Sequence, residues 1–200
     1  MTSSAKNRRL KTAVLISGRG TNMTALIEAA QAYDYPASID LVISNRPDAG
    51  GIEIARGRNI DARIIDHTEY KTRRAFETEL HKALVGNEIE LVCCAGFMRV
   101  LTPWFVKQWA GRLINIHPSL LPKYKGLNTH KRVLEARDTE HGCTVHWVTA
   151  DLDSGDMISQ ARIAVLKDDT EETLANRVLS QELILYPQAL LEIATLRILK

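Results

Sequence analysis

The chain has 200 residues, 45% of them hydrophobic and 25% charged, which is the make-up of a globular protein of one domain and excludes a disordered or collagen-like chain. With 26 Lys and Arg against 24 Asp and Glu, the formal charge is only +2. Nothing general therefore draws the chain to nucleic acid or to an anionic membrane, and an anionic substrate needs a dedicated local site.

Met1–Lys11 is polar and basic and reads as a solvated tail rather than a signal peptide. Thr12–Ile16 reads as a strand, followed by a glycine-rich turn and a helix over Met23–Ala32. Ile39–Ser44 and Ala62–Asp66 are further strands, with helices over Gly50–Asn59 and Tyr70–Val85 after each. Ile89–Ala95 is a fourth strand, and it holds Cys93 and Cys94. These adjacent cysteines, with Cys143, cannot form a disulfide framework and read as buried reduced thiols of a cytoplasmic protein. Runs such as Val14-Leu15-Ile16 are apolar on both faces, as parallel strands covered by helices must be. The second half changes character. A strand over Arg112–Ile116 ends in a proline-rich loop, and a helix follows over Thr129–Ala136. Cys143–Thr149 and Met157–Val165 then read as two strands of an antiparallel or mixed edge, joined by the acidic turn Asp151–Asp156. A last helix spans Glu171–Leu196, which Pro187 is expected to kink or divide. The expected fold is α/β: one Rossmann-like open sheet, parallel in its N-terminal half, mixed or antiparallel at its C-terminal edge, with helices on both faces. No stretch approaches the roughly 18–20 apolar residues of a membrane span.

Two segments carry chemistry. Ser17-Gly18-Arg19-Gly20-Thr21-Asn22 joins the first strand to the first helix, where free N–H groups and a tight turn can hold an anion, with Thr21 and Asn22 expected to cap the helix. It is a poor dinucleotide fingerprint: Met23 stands where a third glycine is needed, and Ser44-Asn45-Arg46 replaces the acidic residue after the second strand. A compact phosphate monoester fits it better. In Asn115-Ile116-His117-Pro118, strand alternation puts Asn115 and His117 on one face at the carboxyl end of a central strand. An amide and an imidazole aimed at one spot suit oxyanion stabilisation and proton transfer. The Asp151, Asp153 and Asp156 turn lacks the glycine placement of a calcium loop, His141, Cys143 and His146 do not alternate as zinc ligands, and no nucleophile elbow occurs.

With these residues in hand, the chain resembles the glycinamide ribonucleotide formyltransferases, folate-dependent enzymes of purine synthesis. The matching segments are Val14–Asn22, Ala95–Leu101, Asn115–Tyr124, His141–His146 and Asp151–Gly155, in family order over roughly residues 12–190. The resemblance implies transfer of a formyl group from 10-formyltetrahydrofolate, as co-substrate, to the amino group of phosphoribosylglycinamide, with no metal. It implies a single domain over 12–200, the phosphate site in its 12–100 half and the folate and catalytic sites in its 101–200 half. It implies that Gly20, Thr21 and Asn22 bind the substrate phosphate, with Glu182 near the glycinamide and ribose. Arg73, Met98, Arg99, Val100, Leu101 and Asn115 would serve the folate, and Asn115, His117 and Asp153 would be catalytic. Asn128 departs from the histidine of the family pattern. Attack of a neutral amine on the formyl carbon creates an oxyanion, and each preorganised donor to it is worth about 2.7–4 kcal/mol. The partners expected are small molecules, with neither nucleic acid nor membrane among them and a homodimer open. The alternative reading is formyltetrahydrofolate hydrolase, which shares the catalytic motif; a tRNA-directed formyltransferase would need a basic patch and a further domain.

Overall fold

The computed structural model describes residues 8–199. In chain order the strands are β1 (Leu10–Ile16), β2 (Ala37–Ser44), β3 (Asp61–Ile64), β4 (Leu91–Cys94), β5 (Leu113–His117), β6 (Glu140–Trp147) and β7 (Met157–Ala164). The helices are α1 (Thr21–Ala30), α2 (Gly51–Gly57), α3 (Arg73–Gly86), α4 (Pro103–Gln108), α5 (Thr129–Ala136) and α6 (Glu171–Ile198), and a 3-10 turn covers His67–Glu69. All seven strands form one sheet in the order β3-β2-β1-β4-β5-β6-β7. Pairing is parallel from β3 through β5 and antiparallel at β5–β6 and β6–β7. The α/β sheet with a parallel first half and an antiparallel C-terminal edge is therefore as the sequence pattern expects.

Alternation within the buried strands divides the core in two. Val14, Ile16, Cys93, Ile114, Ile116 and Val145 meet α1, α2, α5 and α6 on one face. Ala13, Leu15, Leu41, Val92, Cys94 and Leu113 meet Phe76, Leu80 and Leu84 of α3 and Phe105 of α4 on the other. The cysteines are buried apolar side chains: burial pushes the Cys94 and Cys143 thiols up to about 12, so neither forms a thiolate near neutrality.

Several boundaries differ from the sequence pattern, each for a local reason. The expected N-terminal tail lies outside the described residues over 1–7, whereas Leu10 and Lys11 already belong to β1. Basic side chains tie this entry down: Arg8 pairs with Glu90 at 2.5 Å, Lys11 pairs with Glu88 at 2.6 Å, and the Arg9 guanidinium donates to the carbonyls of Ala30 and Ala37. α3 starts at Arg73 rather than Tyr70 because the Thr72 hydroxyl accepts from the Ala75 N–H and caps it. α4 was hidden in the sequence; six residues are too few for a helical period, and its signature is only the Thr102 cap followed by Pro103. α6 runs through Pro187 as one helix of 28 residues, so the proline does not divide it. Its buried stripe, from Leu174 and Val178 through Tyr186 to Ile193, holds it to the sheet on both sides of the proline.

Candidate active site

The strand order reverses between β1 and β4, which is where open α/β sheets leave a crevice beyond their carboxyl ends. The loop after β1 and the loop after β4 meet there. Ser17 Oγ donates to Asn45 Oδ1 at 2.5 Å and accepts from the Met98 N–H at 2.7 Å, joining the two loops through one hydroxyl.

The glycine loop does more than turn. Gly20, at φ 77°, is the N-cap of α1, and no side chain caps that end. Thr21 is the first helical residue, which corrects the cap expected from Thr21 and Asn22 and leaves the first N–H groups open toward an anion. The loop is pressed against the start of α2: the Gly51 N–H donates to the Gly18 carbonyl at 3.1 Å, and a Cβ on Gly51 would meet Ile16 Cδ1 at 2.5 Å and Gly20 Cα at 3.1 Å. Asn22 Nδ2 donates to Glu182 Oε2 at 2.6 Å across 160 residues of sequence, so α6 brings Glu182 to the loop. Glu182 is buried, and that burial raises its carboxyl above the ordinary value despite the Asn22 hydrogen bond. Asn22 Oδ1 is buried with no protein partner. The cradle thus holds a polar pair with capacity to spare. A cavity of about 480 Å3 adjoins it, lined in part by Arg19, Thr21, Thr24 and Leu183.

One strand beyond β4, β5 carries Asn115 and His117. Antiparallel pairing with β6 sets Asn115 opposite His146 and His117 opposite Thr144, and alternation aims all four side chains to one face. The His117 Nε2 nitrogen lies 3.0 Å from the Tyr124 carbonyl, which can only accept, so Nε2 carries a hydrogen. Its Nδ1 faces Asp153 Oδ2 at 3.4 Å. A proton placed on Nδ1 therefore meets a carboxylate. Asp153 has φ 46° and its side chain is only 9% exposed; its Oδ2 accepts from the Gly126 N–H at 2.8 Å. Asp151 and Asp156, in the same turn, are exposed.

His146 is the residue that sequence reasoning missed here. Its Nδ1 lies 2.9 Å from the Trp147 carbonyl and so carries a hydrogen, which leaves Nε2 to accept from Asn115 Nδ2 at 3.2 Å. Burial lowers the His146 imidazole below its ordinary value, keeping it neutral and able to accept. Asn115 is thereby oriented with its second amide N–H free. The signal was the period-two spacing of Thr144 and His146, but only the β5–β6 register shows which strand they face.

The expected folate-side residues are dispersed more widely. Met98 and Val100 are 68% and 56% exposed on the loop after β4, and Arg99 is half-buried. Leu101 is buried among α3 and α4, so its side chain is part of the core. Arg73 is exposed at the first residue of α3. The loop's far end is anchored by buried Glu77, whose carboxylate accepts from the Thr102 N–H at 2.7 Å and from the Thr102 hydroxyl. A cavity of about 520 Å3 opens between α4 and the end of β6, lined in part by Pro103, Val106, Val148, Thr149 and Asp156. Neither cavity includes Asn115 or His117, which stand at the sheet end between the loops. Among the described residues no three His, Cys, Asp or Glu side chains gather as metal ligands, and no helix is long and apolar enough to cross a membrane.

An open sheet with an uncapped helix start after β1 and an amide, imidazole and carboxylate gathered at the end of β5 defines an α/β enzyme whose polar groups collect beyond the carboxyl ends of its central strands. The sequence profile of the formyl transferase family matches residues 10–190, and the chain belongs to that family. It is 44% identical over 174 residues to the phosphoribosylglycinamide formyltransferase of Escherichia coli, covering 87% of this chain and 82% of that protein. It is 45% identical over 184 residues to the trifunctional purine biosynthetic protein adenosine-3 of Chironomus tentans; the match takes in 91% of this chain but spans only 13% of that protein's length. Among solved structures, the phosphoribosylglycinamide formyltransferase of Coxiella burnetii superposes with a TM-score of 0.90 at 49% identity, covering 94% of this chain and 88% of that one. Glycinamide ribonucleotide transformylase 1 of Symbiobacterium toebii superposes with a TM-score of 0.92 at 39% identity, covering 96% and 93%.

Proposed function

We propose that this chain is a phosphoribosylglycinamide formyltransferase, transferring the formyl group of 10-formyltetrahydrofolate to the amino group of 5-phosphoribosylglycinamide in purine synthesis. The observation that carries the reading is the approach of Asp153 to His117 at 3.4 Å beside Asn115, within one sheet end of an anion-binding helix start. Family membership supports the formyl chemistry, and the names of the E. coli and C. burnetii relatives support the acceptor.

In this reading the N–H groups of Gly20, Thr21 and Asn22 hold the substrate phosphate, and Glu182 with Asn22 receives the glycinamide and ribose end. Met98, Arg99, Val100 and the backbone of Leu101 flank the pterin, and Arg73 meets the glutamyl carboxylate. The amine attacks the formyl carbon as a neutral nucleophile. The free Asn115 amide N–H donates to the oxyanion, and the positive charge of a protonated His117 beside it adds electrostatic stabilisation. Asp153 balances the imidazolium charge while a proton passes from the new ammonium to the departing folate nitrogen. Nitrogen–carbon bond formation and cleavage then balance without a covalent enzyme intermediate. Side-by-side placement of the substrates across the β1/β4 crevice supplies the proximity term.

The test is an absorbance assay with 10-formyl-5,8-dideazafolate, run with and without phosphoribosylglycinamide. Deformylation that requires the glycinamide is the expected result. Release that ignores the glycinamide would assign a hydrolase instead, and no release in either case would leave a binding protein.

A further inference from the structure

We infer that Arg132 is a positioning residue for the pair His117 and Asp153, acting through the backbone strap between the β5 loop and α5. The inference rests on the catalytic reading of that pair. From α5, Arg132 Nη1 donates to the carbonyls of Lys125 at 2.7 Å and Leu127 at 3.4 Å. Between those two carbonyls lies Gly126, whose N–H donates to Asp153 Oδ2 at 2.8 Å, the same oxygen that faces His117 Nδ1. One residue before Lys125, the Tyr124 carbonyl receives His117 Nε2 at 3.0 Å. The strap therefore holds both members of the pair by main-chain groups alone.

Such a strap needs external support. Tyr124, Gly126 and Asn128 all lie in the left-handed region, at φ 55°, 77° and 56°, and a non-glycine residue there costs on the order of 1 kcal/mol. No helix or strand hydrogen bonding holds residues 123–127. Its near end is fixed by Asp138, which accepts from Lys123 Nζ at 2.9 Å and from the Tyr124 hydroxyl at 2.8 Å. Lys125 Nζ donates to Ser154 Oγ at 2.6 Å, tying the strap to the turn that carries Asp153. The centre, where Gly126 meets Asp153, is gripped by Arg132, whose guanidinium carbon also stands 5.3 Å from the centre of the Tyr124 ring. Both carbonyls are addressed by the two hydrogens of one guanidinium nitrogen, whose directions the planar group fixes.

The experiment is a double-mutant cycle of Arg132→Ala and Asp153→Asn in the full chain, with kcat, both KM values and melting temperature measured. Arg132→Ala should lower kcat roughly ten-fold, as small displacements of reacting groups do, with both KM values within about two-fold and a cooperative melt retained. In the Asp153→Asn background the same change should cost less than about two-fold, because coupled residues are non-additive. Arg132→Lys should recover part of the loss. If Arg132→Ala does not fold, Arg132→Gln takes its place in the cycle. Equal losses in both backgrounds, a loss confined to KM, or an unchanged kcat would overturn the inference. Full turnover in Asp153→Asn alone would overturn the assignment of the pair itself, and the two failures are thus told apart.

Discussion

At the level of single residues, the site works by fixing hydrogen-bond polarity. Main-chain carbonyls at Tyr124 and Trp147 dictate which nitrogen of His117 and of His146 bears hydrogen, and that in turn sets what each presents to Asp153 and Asn115. Removing a member should therefore impair turnover rather than folding. Asn115→Ala, His117→Ala and Asp153→Asn are each expected to lower kcat/KM by at least about ten-fold with a cooperative thermal transition retained. Near-normal turnover in any one would remove it from the mechanism. Asn115 and His117 were legible in the sequence because they share a strand face two residues apart. His146, 31 residues from Asn115, was not, because only the strand register brings it in, and Asp153, 36 residues beyond His117, was reached through the resemblance of its turn rather than through spacing.

At the level of elements, the glycine loop and the start of α2 form one unit. Gly51 leaves no room for a methyl group, whereas Gly50 beside it has open space. Gly51→Ala should displace the loop, destabilise the fold by about 1–3 kcal/mol and raise KM for the phosphorylated substrate more than for the folate. Gly50→Ala serves as the neutral control, and equal KM values in both variants would separate the loop from phosphate binding. The long parallel elements were readable from apolar runs and period. α4 was not, since it shows only a cap and a proline, and the continuity of α6 was not, since tertiary burial on both sides of Pro187 overrides a local helix breaker.

Over the whole molecule, buried imidazoles dominate the response to acid. Burial depresses His130 and His146, and drives His141, which also feels His130 and His117, down to about 4. Each binds a proton more readily in the unfolded chain, so its stabilising contribution is present above the ordinary value of 6.5 and is lost as pH falls toward the depressed one. Glu182 acts in the opposite sense: its raised carboxyl favours the fold below the ordinary 4.5 and loses that contribution as pH rises. Three imidazoles against one carboxyl make the net slope positive. Melting temperature should rise between about pH 4.5 and 6.5, and a flat or falling curve would show that these histidines are not held neutral. Overall charge balance was legible in the composition, but these opposed titrations follow chiefly from burial and left no mark there.

The 28 residues of α6 extend about 42 Å and rest on α1, β1 and β2 as well as on β6 and β7. Tyr186 reaches the Cys94 and Ile114 carbonyls on the two central strands, at 3.1 and 3.3 Å. A ribosome releases this helix only after every strand. Until then the nascent polypeptide presents a bare apolar strip over β4 and β5 and an Asn22 without Glu182. The core of the sheet is therefore completed by the last element to be made, and the surface it covers is of the apolar kind that makes incomplete chains prone to association.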